Sequence, residues 1–115
     1  MMDYSKMSDA SVNEAVGKLV ARDGLTVKKP DGQVFIHEYA DCGEFKGICT
    51  GWKVFDPCNN AADAWPIIVE SKISLWPKGE SWGVEAFEDD KSPYHHDKNP
   101  LRAAMIVYLQ LQGAK

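Results

Sequence analysis

The sequence predicts an α+β domain, a small and mostly antiparallel sheet covered by helices in the order α-β-β-(β)-α-β-β-α. Three observations carry this. Asn99-Pro100 opens a nearly uninterrupted apolar run, Leu101 to Leu109, in which Arg102 is the only charged residue. Pro30-Asp31-Gly32 and Pro77-Lys78-Gly79-Glu80 each separate two β-prone runs, which is hairpin punctuation. Val12, Ala15, Val16, Leu19 and Val20 recur with the spacing of one helix face.

Taken in order, Ser8 opens the first helix and Asp23-Gly24 closes it. Leu25 to Lys28 and Val34 to Tyr39 form the first hairpin. Ala40 to Gly51 carries three glycines and reads as a mobile loop before a short strand, Trp52 to Phe55. Asn59-Asn60 begins a second helix, with Asp63 in the first turn where its charge suits the helix dipole. Pro66 removes an interior hydrogen bond, so that helix is expected to kink between Ala62 and Pro66 or to split in two. Ile73 to Trp76 and Trp82 to Phe87 form the second hairpin, with Trp82, Val84 and Ala86 turned toward a helical layer and Gly83, Glu85 and Phe87 away from it. Glu88-Asp89-Asp90 and Lys91 to Lys98 read as a polar connection into the last helix. There, Asn99 supplies a cap and Pro100 lacks the amide that would have gone unpaired. Because the run beyond Pro100 has no polar side, the helix should be covered nearly all round, by its own chain or by a second copy, and a homodimer is expected.

A chain of 115 residues suits one domain, 1–115. Its 13 basic and 17 acidic residues give a net charge of −4, and the basic residues are scattered, which argues against bulk nucleic-acid binding. No apolar run reaches the ~20 residues that span a bilayer, and Met1 to Asp9 has no signal-peptide hydrophobic region, so the expectation is a cytosolic protein that does not enter the membrane. Three cysteines, Cys42, Cys49 and Cys58, form no disulfide framework at that odd number. Joined with His95 or His96 they lack the C-x-x-C knuckles of structural zinc sites, so neither a metal nor another cofactor is expected.

No nucleophile elbow, phosphate loop or metal-helix motif occurs, and Asp63, Glu85 and His37 are unanchored as acid and base groups, so no catalytic residue is assigned and the protein is expected not to be an enzyme. Four tryptophans are many for this length. Trp65 and Trp82 are expected in the core, whereas Trp52 and Trp76 adjoin loop or turn signals and are candidates for stacking on a nucleobase. Arg102, in the first turn of a buried helix, needs a carboxylate, a cluster of carbonyls or an anionic ligand. An internal structural partner is the first expectation for it, and a ligand the alternative. The helix start at Asn99, with Tyr94, His95 and His96 just upstream, is a candidate anion site. The candidate ligand-binding residues are therefore Arg102, Asn99, Trp76, Trp52, Tyr94 and His95.

Two longer strings resemble a known family. Cys58-Asn59-Asn60-Ala61-Ala62-Asp63-Ala64-Trp65-Pro66-Ile67-Ile68, followed by Ile73-Ser74-Leu75, resembles the central motif of the NinX family of lambda-like phages and prophages, and Asn99 to Val107 is similar to its terminal motif. Asp3-Tyr4-Ser5-Lys6-Met7-Ser8-Asp9 resembles its opening. The family commonly has proline where this chain has Ala61, and Leu25 to Lys53 carries no part of the resemblance. The resemblance implies an α-β-α sandwich and a phage setting rather than an activity. On that basis the expected function is a phage accessory protein binding a nucleotide-like small molecule and sequestering a host signal. The alternative is a protein–protein interaction factor that modulates a host or phage recombination or replication protein.

Overall fold

Ser8 caps α1 (Asp9–Val20) by accepting a hydrogen bond from the Ser11 amide at 3.1 Å. The helix follows a 3₁₀ turn, Tyr4–Lys6, and the computed structural model describes residues 3–86 and 92–113. Beyond α1 come β1 (Thr26–Lys28), β2 (Val34–Cys42), β3 (Phe45–Val54), α2 (Ala61–Glu70), β4 (Ser74–Lys78), β5 (Ser81–Glu85), β6 (Tyr94–Asp97) and α3 (Pro100–Gly113). The α+β class inferred from element order holds. The strands divide into two antiparallel three-stranded sheets, β1-β2-β3 and β4-β5-β6, rather than forming one. α2 lies between β3 and β4 in the chain, and each sheet packs on its own helix: α1 on β1 and β2, α3 on β5 and β6. α1 and α3 pack on each other and so join the two halves. Gly17 lets α1 approach the first sheet, since an added Cβ would meet the Thr26 methyl at 3.0 Å.

Three local expectations are corrected. Ala40 to Gly51 is not a loop: β2 continues to Cys42 and pairs with a ten-residue β3 across the two-residue turn Gly43-Glu44. Its glycines misled because Gly43 (φ +58) makes the turn, while Gly47 and Gly51 sit where the β2–β3 register slips, as glycines do at bulges. α2 is continuous from Ala61 to Glu70 rather than split at Pro66. Both Ala62, whose carbonyl loses its partner, and Pro66 face solvent, where water can take the missing bond. The polar connection before α3 contains a strand, β6, whose Tyr94, His95, His96 and Asp97 pair with Glu85, Val84, Gly83 and Trp82. The acidic stretch Glu88-Asp89-Asp90, with Phe87 and Lys91, lies outside the described residues.

Ala103 to Leu109 and Leu111 of α3 are all buried, against α1, α2, β5, β6 and the 3₁₀ turn. The helix is thus covered by its own chain, and its apolar surface does not require a second copy. Trp65 is not a core residue: Ala64, Ile67 and Ile68 face inward, which turns Trp65 and Val69 outward at 59% and 55% exposure. Trp82 shares the inner face of its sheet with Val84 but lies near the strand end, beside the turn Gly79-Glu80, and keeps 37% of its surface exposed.

Candidate functional site

Directly paired residues of an antiparallel sheet share a face. Trp76, Gly83 and His96 are paired in one row of the second sheet, and Ser74, Glu85 and Tyr94 form the next row on the same side. Leu75, Val84 and His95 occupy the side turned to α3. Gly83 leaves room on the outer side: a Cβ there would stand 2.6 Å from the Trp76 indole, which therefore lies flat across the strand. Trp76 stacks on Tyr94, centroids 5.9 Å apart and planes 30° apart. Lys78 crowns the pair, its ammonium 5.6 Å from the Tyr94 ring centroid and donating to the Tyr94 hydroxyl at 3.2 Å. His96 sits 6.3 Å from Tyr94. The result is an exposed aromatic surface with one cation at its border, which can stack a planar ring and meet a negative charge.

Two of the predicted site residues, Trp76 and Tyr94, are brought together here, and the others are not. His95 is on the opposite face of β6, its Nε2 3.9 Å from Asp97, and burial pushes its imidazole below the ordinary value. Trp52 lies on the first sheet, stacked on His37 with centroids 3.6 Å apart. Lys78 and Gly83 escaped the sequence reading, and His96, named there beside the helix start, lies on this face instead. A glycine inside a strand, the one signal available, marks close approach of another group.

Arg102 is engaged within its own chain. It donates to Asp9 Oδ1 at 2.7 Å, to the Met7 carbonyl at 2.6 Å and to the Ser5 carbonyl at 3.1 Å, while Nε lies 3.4 Å from Asp97. The structural partner is therefore the one realised. Asn99 is equally committed: Oδ1 accepts from the Leu101 and Arg102 amides at 3.0 and 3.2 Å, and Nδ2 donates to the Cys58 carbonyl at 2.6 Å. The helix start is capped from within, which closes it as an anion site.

Those contacts belong to a polar hub that explains the longer motifs. Asn13, buried in α1, donates to Asp56 at 2.7 Å and accepts from the Cys58 amide at 3.1 Å, while Asp63 Oδ2 accepts from the Asp56 amide at 2.9 Å. Asn60 caps α2 through the Ala62 amide at 2.9 Å. The hub ties the starts of α2 and α3 to α1, with Arg102 clamping the opening residues onto it. The family model described as bacteriophage P22, NinX, matches residues 3–112, which takes in all three strings. The chain belongs to the bacteriophage P22 NinX family. Comparison with curated proteins and with solved structures gave no match. Within this NinX chain the motif residues build the fold, and membership makes the protein a phage accessory protein.

Cys58 of the hub is buried, and desolvation, with Asp9 second, pushes its thiol up to about 12, whereas Cys42 and Cys49 are exposed. All three cysteines are free. Among the described residues no group of His, Cys, Asp or Glu is placed to hold a metal ion, and no helix is long and apolar enough to cross a membrane.

Proposed function

We propose that this phage accessory protein is non-enzymatic and binds a nucleotide-like small molecule in the host cytosol, sequestering it as a signal. The observation that supports the reading is the exposed Trp76–Tyr94 stack with Lys78 at its border. A base would lie on the rings and a phosphate would meet the Lys78 ammonium, drawing it from the Tyr94 hydroxyl. Arg102 and Asn99 serve the fold in this reading.

A thermal-shift screen against nucleotides, cyclic nucleotides and adenosine-diphosphate-ribose derivatives tests it. A ligand at a hundred times its Kd adds about 2.7 kcal/mol of stability. A saturable rise in Tm, lost in Trp76→Ala and Lys78→Ala proteins of normal unliganded Tm, is expected. Silence across the panel would defeat this reading in favour of a second, capture of a host or phage protein. That alternative rests on the outward face of α2, where Trp65 and Val69 stand 59% and 55% exposed. It predicts a partner lost on Trp65→Asp.

A further inference from the structure

The first sheet turns its β2 residues Ile36 and Val34 inward, and its other face carries Phe35, His37 and Tyr39 in a row. Successive side chains on one face of a strand stand about 7 Å apart. Trp52, paired with His37 across β3, lies flat on the imidazole and is 47% exposed. Each end of the row is topped by a cation: the Lys29 ammonium lies 4.9 Å from the Phe35 centroid, and the Arg22 guanidinium 5.0 Å from that of Tyr39. Among the described residues neither cation has a carboxylate within salt-bridge distance. Asp23, the nearby acid, is occupied: one of its oxygens takes both the His37 Nδ1 contact at 2.5 Å and the Tyr39 hydroxyl at 2.9 Å. That pair of contacts also links His37 to Tyr39.

We propose that this face binds a short stretch of single-stranded nucleic acid, independently of the small-molecule site on the second sheet. The outer face of Trp52, whose other face lies on His37, offers a stacking plane to an unpaired base between the two cations. The two cations match the phosphates on either side of the stacked base. A second copy of this chain fits the face less well, because it would set Arg22 and Lys29 against a surface whose acid is already engaged. Duplex DNA is disfavoured because its paired, stacked bases cannot lie on the Trp52 ring.

The test is fluorescence anisotropy of labelled decathymidylate and decauridylate, with a duplex of the same length as control, on the full chain. Expected is saturable binding of one or both single strands, quenching of Trp52 emission, and a slope of about −1.4 in log K against log salt for two phosphates. Losing one stacked base costs about tenfold in affinity, which is the drop expected for Trp52→Ala. Arg22→Ala with Lys29→Ala should flatten the salt slope toward zero. These side chains are exposed, so the variants should keep the parent Tm, and Trp76→Ala should bind the oligonucleotides normally. No anisotropy change at about 50 mM salt overturns the proposal. So does tighter binding of the duplex, binding indifferent to Trp52, or a Trp52-dependent dimer in sedimentation that excludes the oligonucleotide. A small-molecule shift that survives Trp52→Ala bears only on the other face.

Discussion

Arg102 Nη1 donates to Asp9 Oδ1 at 2.7 Å and so joins the first turn of α3 to the first turn of α1 across 93 positions of sequence. The same guanidinium donates to the carbonyls of Ser5 and Met7, so one side chain ties down the opening segment. Truncating it takes the cation from Asp9 and the donors from two carbonyls together. Arg102→Ala is expected to lower stability by roughly 2–4 kcal/mol, and Arg102→Lys by less, because an ammonium cannot reach all of these acceptors at once. Urea denaturation checks both, and an Arg102→Ala protein as stable as the parent would refute the clamp.

Gly83 is where the aromatic face meets its own strand. A Cβ there collides with the Trp76 indole, so Gly83→Ala should displace Trp76 and disrupt its stack on Tyr94 at a cost of about 1–3 kcal/mol. Near-ultraviolet circular dichroism should lose the contribution of that pair while the far-ultraviolet spectrum persists.

Lys72 follows the C-cap of α2 in a left-handed conformation, φ +55, where glycine is the usual occupant. The Ile73 amide bonds to the Ile68 carbonyl at 3.0 Å and the Lys72 amide to the Val69 carbonyl at 3.2 Å, which is a Schellman ending. Lys72→Gly removes the strain of a side chain at positive φ and should raise stability by about 1 kcal/mol. An unchanged or lower urea midpoint would contradict that geometry.

Asp23 is held at about 2, below the ordinary 3.8, first by the Leu25 amide and then by His37. Its folded-state value is the lower one, so its contribution to stability is present above pH 3.8 and is lost as the pH falls toward 2. Asp23→Asn should be less stable than the parent near neutral pH, with the difference closing as both are taken into acid. Parallel denaturation curves across that range measure it.

The Cys58 thiol, pushed up to about 12 by burial and the neighbouring Asp9, should be inert in the folded chain. A maleimide at mildly alkaline pH should label the exposed Cys42 and Cys49, and Cys58 only after unfolding. Rapid labelling of all three thiols in the native protein would mean that the hub opens readily.

The three helices were legible in sequence because their signals are local: Ser8, Asn60 and Asn99 cap them, and apolar spacing marks α1. Both β-hairpin turns led by glycine, Gly43-Glu44 and Gly79-Glu80, are equally local, yet the first was lost among Gly47 and Gly51, which mark bulges in a long strand. β6 was missed because Tyr94 and His96 alternate with His95 and Asp97, a pattern without apolar contrast whose strand state depends on β5. Of the candidate site, Trp76 was found from composition and turn proximity, and Tyr94 from its place just upstream of the helix start at Asn99. Their meeting over Gly83 was not, since it needs the register of three strands.

By itself the sequence determined the α+β class, where each helix begins, the capping role of Asn99 and the need of Arg102 for a partner, all set by neighbours within a turn or by the energetic cost of a buried charge. Tertiary structure alone decided that the partner is Asp9, that the strands form two sheets, and that Trp65 faces outward while α3 is enclosed by its own chain. Those outcomes depend on which surfaces meet across long separations in the chain, and hydrophobic burial, being non-directional, does not specify the partner from composition or periodicity.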